Sequence, residues 1–482
     1  GANPDSRTRG TGGSRYHQLI HTHGTPMTIL NLGTNRIKTC GSPISRRSLL
    51  KIGTALPLLS LLGSQPEAGA ATENAPARSV LFVNLIGAPS HMDLFDPKPR
   101  APAEYRGPFN VIQTRTPGVH FSELLPKCAA ISDKYTVVRT NVNHSADHLV
   151  AMSTMMSGYL PTDGGETGNG TPAGYQPNFG SIASRSIQRQ GLPTFVSLAK
   201  GPIGDGRGPS LAAGGNIWGR QHDPFMIHCD QAGAVTLPGL DLLEGLSPDR
   251  LGDRRKLQQE LNRAKRQVDS LASSDLSALY GRAYGLLTSA SSNRAFNIAD
   301  ESKATRQAYG QTSFGQSCLL GRRLVEAGVP YVQVNWSQYA EVLYEFSDYG
   351  WDTHADNFGL MEDWHGPLLD QVFSTLMNDL DDRGLLETTL VILMGEFGRT
   401  PRINSIGSRD HWHDCYFSLW AGAGVPRGQV VGMSDRRAEH PVTDPLTPAM
   451  VGTTILEKMG ITAQQRAELN VLGDSHVFDP LM

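Results

Sequence analysis

The sequence predicts an α/β fold, with a mostly parallel central sheet, helices on both faces and a helical insertion. Three observations predict it. Short, nearly continuous apolar runs closed by Gly or a polar residue recur along the chain, the pattern of strands buried on both faces. Stretches with apolar residues at helical spacing separate these runs, and strands that alternate with helices build a parallel sheet. With 482 residues, 39% of them hydrophobic and 18% charged, the chain has the length and composition of a large globular core.

In chain order, residues 1–26 are polar, Gly-rich and free of Met, and read as a non-translated or disordered extension ahead of a start at Met27. Residues 27–71 read as a twin-arginine signal peptide. A basic region ends in Ser45-Arg46-Arg47-Ser48-Leu49-Leu50-Lys51, the modestly apolar IGTALPLLSLLG follows, and Ala68-Gly69-Ala70 supplies a small-residue cleavage site. The apolar stretch is too short and too rich in Gly and Pro to remain as a permanent membrane span. The expectation is export by the twin-arginine machinery to the periplasm or beyond the cell.

Residues 72–78 form a short linker, and 79–482 form the α/β domain. Its first strand is the run Ser79 to Gly87, SVLFVNLIG, and similar runs stand at Thr136–Arg139, Val329–Val334, Thr389–Met394 and Tyr416–Ala421. Leu149–Met156 and Pro367–Arg383 have helical spacing. Between Pro161 and Pro238 the chain is rich in Gly, Pro and Asn, and reads as long surface excursions. Residues 247–327, rich in Arg, Lys and Glu at helical spacing, read as a solvated helical insertion or cap.

The formal net charge of -3 carries no excess of either sign, so neither nucleic acid nor an acidic membrane is an expected partner. Five scattered cysteines (Cys40, Cys128, Cys229, Cys318, Cys415) contain no C-x-x-C pair, and read as buried apolar residues.

In open parallel sheets ligands bind beyond the carboxyl ends of the strands, so the polar clusters that follow buried runs are the candidate site. The first, Ser90-His91-Met92-Asp93-Leu94-Phe95-Asp96, offers two carboxylates and an imidazole. The second, Asn143-His144-Ser145-Ala146-Asp147-His148, opens a helix, and Asn143 or Ser145 could be its cap. The third holds Asp352 and His354, two apart and on one face of an extended segment. The fourth places Glu396 at the tip of TLVILM, followed by Arg399 and then by Asp410 and His411. A carboxylate buried there requires a cation, either Arg399 or a metal ion. Mixed carboxylate and imidazole donors suit a divalent metal such as zinc or manganese better than calcium. Such an ion polarises an ester oxygen or lowers the pKa of bound water.

The motif order HMDLFDPKP, NHSADH before a helix, GWDTHADNF, GEFGRTP and SRDHW, with the closing AGAGVPRGQVVGMSD and VTDPLTPAMVGTTILEKMGI, resembles the exported family called domain of unknown function 1501, from about Leu81 to the carboxyl terminus. That family is similar in sequence order to the alkaline phosphatase and sulfatase superfamily, which implies an alkaline-phosphatase-like sheet carrying a metal centre that hydrolyses phosphate or sulfate esters. The resemblance puts Asp352 and His354 in the place of the first Asp and His ligands, Glu396 in the place of the strand-end Asp, and His411 in that of the late His. Asp410 is grouped with the metal residues as their neighbour. Three departures stand out. Ile86 and Gly87 replace the Asp at the end of the first strand, so Asp93 or His91 would have to substitute. Phe397 occupies the second position of the strand-end pair. Asp147 and His148, with Ser145 nearby, coincide with the expected nucleophile.

The resemblance thus implies a metal-dependent hydrolase of an anionic ester or glycan. Asp93, Asp352, His354, Glu396, Asp410 and His411 form its metal set, His148 is a base or further ligand, Ser145 lies near the nucleophile position, and Arg399 neutralises the anionic group. The other reading is an exported binding or assembly protein that keeps the scaffold without the chemistry.

Overall fold

The computed structural model describes residues 76–161, 175–187, 192–200, 203, 213–236, 294–337 and 350–482. The amino-terminal extension, the twin-arginine segment, the linker up to residue 75 and residues 247–293 of the expected insertion lie outside the described residues.

A nine-stranded sheet runs through the domain in the order β13-β4-β12-β9-β1-β8-β5-β6-β7. At its centre β1 (Ser79–Leu85) pairs in parallel with β8 (Tyr331–Trp336) on one side and β9 (Thr389–Met394) on the other. The strands β5 (Phe195–Leu198) and β6 (Phe225–Cys229) extend the parallel run beyond β8. Beyond β9 lie β12 (Tyr416–Ala421), β4 (Thr136–Asn141) and β13 (Gln429–Val431). Only β12 and the edge strand β7 (Val235–Thr236) run against the others.

The apolar runs become strands because each can bury both faces. Along β1, Leu81, Val83 and Leu85 enter one apolar cluster, and Val80 and Phe82 enter the other. The first cluster is closed by α3 (Ser313–Glu326) and α4 (Gly366–Asp382), and the second by α1 (His148–Ser157), α2 (Phe179–Ser186) and α5 (Pro448–Lys458). Successive side chains of a strand point to opposite faces, so helices on both sides are required. Asp147, rather than Asn143 or Ser145, caps α1 by accepting from Leu149 N at 3.0 Å and Val150 N at 3.2 Å.

Two expectations about the variable regions are corrected. The Gly-rich stretch between Pro161 and Pro238 is not all surface excursion, because it contributes β5, β6, β7 and α2, and β5 is wholly buried. In the segment expected to be a solvated insertion, α3 is instead a core helix. A Cβ on Gly321 would come within 3.0 Å of both Leu81 and Val334, so α3 lies directly on β1 and β8. Its Arg322, which suggests a solvated face, is buried and paired with Glu301 at 2.7 Å, Glu326 at 2.6 Å and Asp379 at 2.9 Å. Cys128, Cys229, Cys318 and Cys415 are buried and unbridged. Among the described residues no helix is long and apolar enough to cross a membrane.

Arg322 supports a direct test. Replacing it with Met removes one cation from Glu301 and Asp379, which keep Arg323 and Arg383, and should destabilise the domain by about 1.5–3 kcal/mol in urea denaturation. A variant as stable as the wild type would show that the network is dispensable.

Candidate active site

The ends of β1 and β9 and the segment after Gly350 are pressed together at one rim of the sheet. Gly87 follows β1 with φ +108°, and a Cβ there would lie 2.3 Å from Asp352 N. Only glycine admits the Trp351–Asp352 backbone so closely. Trp351 N donates to Ile86 O at 2.8 Å, and Gly87 N donates to Glu396 Oε1 at 2.9 Å. Asn143 adds a third element: its Nδ2 donates to Glu396 O at 2.7 Å and Ala151 O at 3.0 Å, which ties β9 to α1. The short ribbon of β10 (Gly398–Arg399) and β11 (His411–Trp412) sets His411 opposite Arg399.

Asp352 is the hub. Its Oδ1 accepts from Arg399 Nη2 at 2.7 Å and lies 3.0 Å from both His411 Nε2 and His354 Nε2. The two imidazoles meet at 2.7 Å through their Nε2 atoms. On the other side, His148 Nε2 is 3.2 Å from Asp352 Oδ2, near enough for charge attraction but without a hydrogen bond of its own. His148 Nδ1 lies 2.6 Å from Glu396 Oε1. Ligand-type atoms of His148, Asp352 and His411 fall within 4.8 Å of one another.

The hydrogen bonds fix where the lone pairs point. His411 Nδ1 faces the carbonyl of Ala146 at 2.8 Å, an acceptor only, so Nδ1 carries the hydrogen. Burial lowers the His411 pKa, the charges of His148 and Arg399 add to that, and Asp352 offsets part of it. His354 Nδ1 likewise faces Asp410 Oδ1, at 3.2 Å. With both rings neutral in these tautomers, Asp352 Oδ1, His354 Nε2 and His411 Nε2 turn lone pairs toward one point, which a cation among them would satisfy. His148 Nε2, buried and 3.2 Å from Asp352 Oδ2, lies at the second oxygen. These donors fit a divalent ion.

Electrostatics agree with the geometry. Burial disfavours the Asp352 carboxylate, yet His148, His354, His411 and Arg399 outweigh it and hold the group far below the ordinary carboxylate range. Burial pulls the pKa of His148 down, and the contacts and charges of Asp352 and Glu396 overcome that to push it up to about 9. Phe397 stacks on His148, with ring centroids 4.9 Å apart, and packs with Ala88 and Ala151 to keep water from that side.

The residues singled out from the sequence thus separate. Asp352, His354, His411 and His148 converge directly, whereas Glu396 reaches the group through His148. Asp410 sits outside His354, where Asn404 Nδ2 also approaches it at 3.3 Å. Arg399 does not face a substrate, because it is buried and its Nε and Nη2 are committed to the carbonyls of Gly87, Ala88 and Trp351 and to Asp352. Ser145 Oγ accepts from Asp147 N at 3.0 Å within the turn that precedes α1. Asp93 is removed from any metal set: Arg409 grips it with Nε at 2.7 Å and Nη2 at 3.0 Å, and Asn357 Nδ2 adds a bond at 3.1 Å. His91 does not join the group of ligand-type atoms at Asp352 either, and its Nε2 lies 2.9 Å from Ala438 O. Sequence reasoning missed Arg409, the Ala146 carbonyl and the Phe397 wall. Of these, only Arg409, the immediate neighbour of Asp410 and His411, carried a signal.

Gly87→Ala should destabilise the domain by about 1–3 kcal/mol through its positive φ alone, with a further loss from displacing Asp352. Urea denaturation checks this, and wild-type stability would contradict the close packing at Gly87.

The fold is similar to solved structures of low identity. They include the PsFucS1 sulfatase from Pseudoalteromonas sp., at 13% identity over 80% of this chain and 68% of that one with a TM-score of 0.34. A mutant of alkaline phosphatase PafA is matched at 10% identity over 80% and 96%, with a TM-score of 0.37. The phosphonate monoester hydrolase of Agrobacterium radiobacter is matched at 12% identity over 79% and 73%, with a TM-score of 0.34. At these scores the likenesses transfer no activity. No curated protein matches the chain. Residues 77–470 match the model of the family described as Protein of unknown function (DUF1501), and the chain belongs to that family.

Proposed function

We propose that the chain is an exported metal-dependent hydrolase of an anionic phosphate or sulfate ester, free or on a glycan, with one divalent ion, zinc or manganese, held by Asp352, His354, His411 and His148. The observation that carries this reading is the meeting of the His354 and His411 Nε2 atoms with Asp352 Oδ1, all within 2.7–3.0 Å of one another, with His148 Nε2 3.2 Å from Asp352 Oδ2 beside them. When bound, the ion supplies Lewis-acid polarisation of an ester oxygen.

The chain's own groups do the remaining work. Arg399, spread across three carbonyls, fixes Asp352 and compensates its charge from the protein side. His148 is shielded by Phe397, and holds a proton in the metal-free chain. The His354 side chain is 41% exposed and that of Asp410 53%, so substrate approaches over these two residues. Export through the twin-arginine route rests on the Arg46-Arg47 segment, and fits a site whose ion is acquired in the folded state.

The second reading is a binding or assembly protein without turnover. Two observations favour it: the Ser145 hydroxyl is engaged in a turn, and Arg399 is buried and paired with Asp352.

Elemental analysis of the exported protein, followed by aryl phosphate, phosphodiester and sulfate substrates, separates the two. The hydrolase reading expects about one ion per chain, and a loss of about 10²-fold or more in turnover with Asp352→Asn. Metal-free and inert wild-type protein would establish the second reading.

The metal-free chain should also lose stability as pH rises. His148 is raised from 6.5 to about 9 on folding, so its contribution is complete below pH 6.5 and disappears as pH climbs to about 9. The loss is on the order of 3 kcal/mol. Urea denaturation from pH 6.5 to 9 should show this decline in the wild type and little of it in His148→Gln. Parallel profiles for the two proteins would contradict the assignment.

A further inference from the structure

Each imidazole of the cluster has one nitrogen facing an acceptor on the outside and the other turned inward. His411 Nδ1 meets Ala146 O at 2.8 Å, His354 Nδ1 meets Asp410 Oδ1 at 3.2 Å, and His148 Nδ1 meets Glu396 Oε1 at 2.6 Å. We infer that Glu396 and Asp410 are not ligands but positioning residues, the outer partners that set the tautomer and ring direction of His148 and His354 so that both Nε2 atoms face a divalent cation. The inference rests on the proposed metal site and deepens it.

Glu396 is the stronger case. Its Oε1 already receives two N–H groups, His148 Nδ1 and Gly87 N, the second at 2.9 Å. The His148 ring stands between this oxygen and Asp352, with Nδ1 on Glu396 and Nε2 toward Asp352 Oδ2 at 3.2 Å. The carboxylate therefore acts along the ring. The same oxygen anchors the Gly87 turn, through which the Trp351–Asp352 backbone is admitted. One side chain thus orients an imidazole and sets the place of the opposing carboxylate. An acceptor behind an imidazole raises the basicity of the far nitrogen and removes its rotational freedom, and loss of such partners typically weakens metal affinity by about 10–100-fold without removing the site. Asp410 repeats the arrangement on the solvent side, where its bond to His354 is longer and its carboxylate exposed, so its effect should fall at the lower end of that range.

The test is zinc titration by calorimetry of the wild type, Glu396→Gln, Asp410→Asn and Asp352→Asn, with long-range ¹H–¹⁵N spectra of histidine-labelled protein. Expected are full occupancy at saturation in Glu396→Gln and Asp410→Asn, with affinity weakened by about 10–100-fold, and no binding in Asp352→Asn. The spectra should show His148 as the Nδ1–H tautomer in the zinc-loaded wild type, with that signal altered in Glu396→Gln and the His411 signal kept. Loss of all zinc from Glu396→Gln while its fold is retained would make Glu396 a ligand and overturn the inference, as would unchanged affinity together with an unchanged His148 signal. Should wild-type protein take no zinc, the metal reading fails, and whether the Nδ1–H resonance of the doubly protonated His148 shifts in Glu396→Gln still decides whether Glu396 positions the ring.

Discussion

A carboxylate held at the tip of a buried parallel sheet, Asp352, is the group around which the rim is organised. Burial makes its charge costly, and four cationic or hydrogen-bonding partners make it tolerable. Arg399 approaches from inside the protein, while His148, His354 and His411 approach from the open side. His148 comes from the start of α1, His354 from the segment that carries Asp352, and Arg399 and His411 from the β10–β11 ribbon. The requirement to neutralise one buried charge therefore gathers the loop after β9, the start of α1, the β10–β11 ribbon and the segment after Gly350 at one point.

The fold serves that requirement by placing β1 and β9 side by side. With parallel strands in register, Asn84 lies beside Met394, so β1 and β9 end within one residue of each other, and Gly87 and Glu396, which follow, touch. Gly87 lets the Trp351–Asp352 backbone approach, Arg399 pins it, and Asn143 ties the opposite side to α1. A ring of main-chain and side-chain bonds thus positions the histidines before any ligand arrives. Such preorganisation is what electrostatic catalysis and metal binding both need. Asp93 and Arg409 form a second, separate strut. Both are buried, and their fork-to-fork pairing, with further Arg409 bonds to Tyr105 O, Thr400 O and Pro401 O, fixes the root of the ribbon that carries His411.

Much of this was legible in the sequence. The runs SVLFVNL, TLVILM and YFSLWA are apolar over nearly all their length, the pattern of a strand covered on both faces. Polar residues directly after such runs had to lie at the rim, and for that reason Asp352, His354, Glu396, His411 and His148 could be named together. The misses have physical causes. The β5 segment, FVSL, is a four-residue run set among Gly and Pro, too short for a periodicity signal. Arg322 advertised a solvated helix, because burial of an arginine depends on Glu301 and Asp379, whose approach no local pattern records. Asp93 had the right chemistry for a ligand, but its partner Arg409 stands 316 positions away. Glu396 was read as a ligand from its place at the strand end; its Oε1 faces His148 Nδ1 at 2.6 Å, a side-chain direction that spacing does not encode.

The proposed cation among Asp352, His354, His411 and His148 is tested most directly by anomalous X-ray diffraction from crystals grown with zinc or manganese, collected on either side of the metal's absorption edge. One edge-dependent peak is expected within bonding distance of Asp352 Oδ1 and the His411 and His354 Nε2 atoms. A map without a peak there, or with its peak on Glu396 or Asp93 instead, would contradict it.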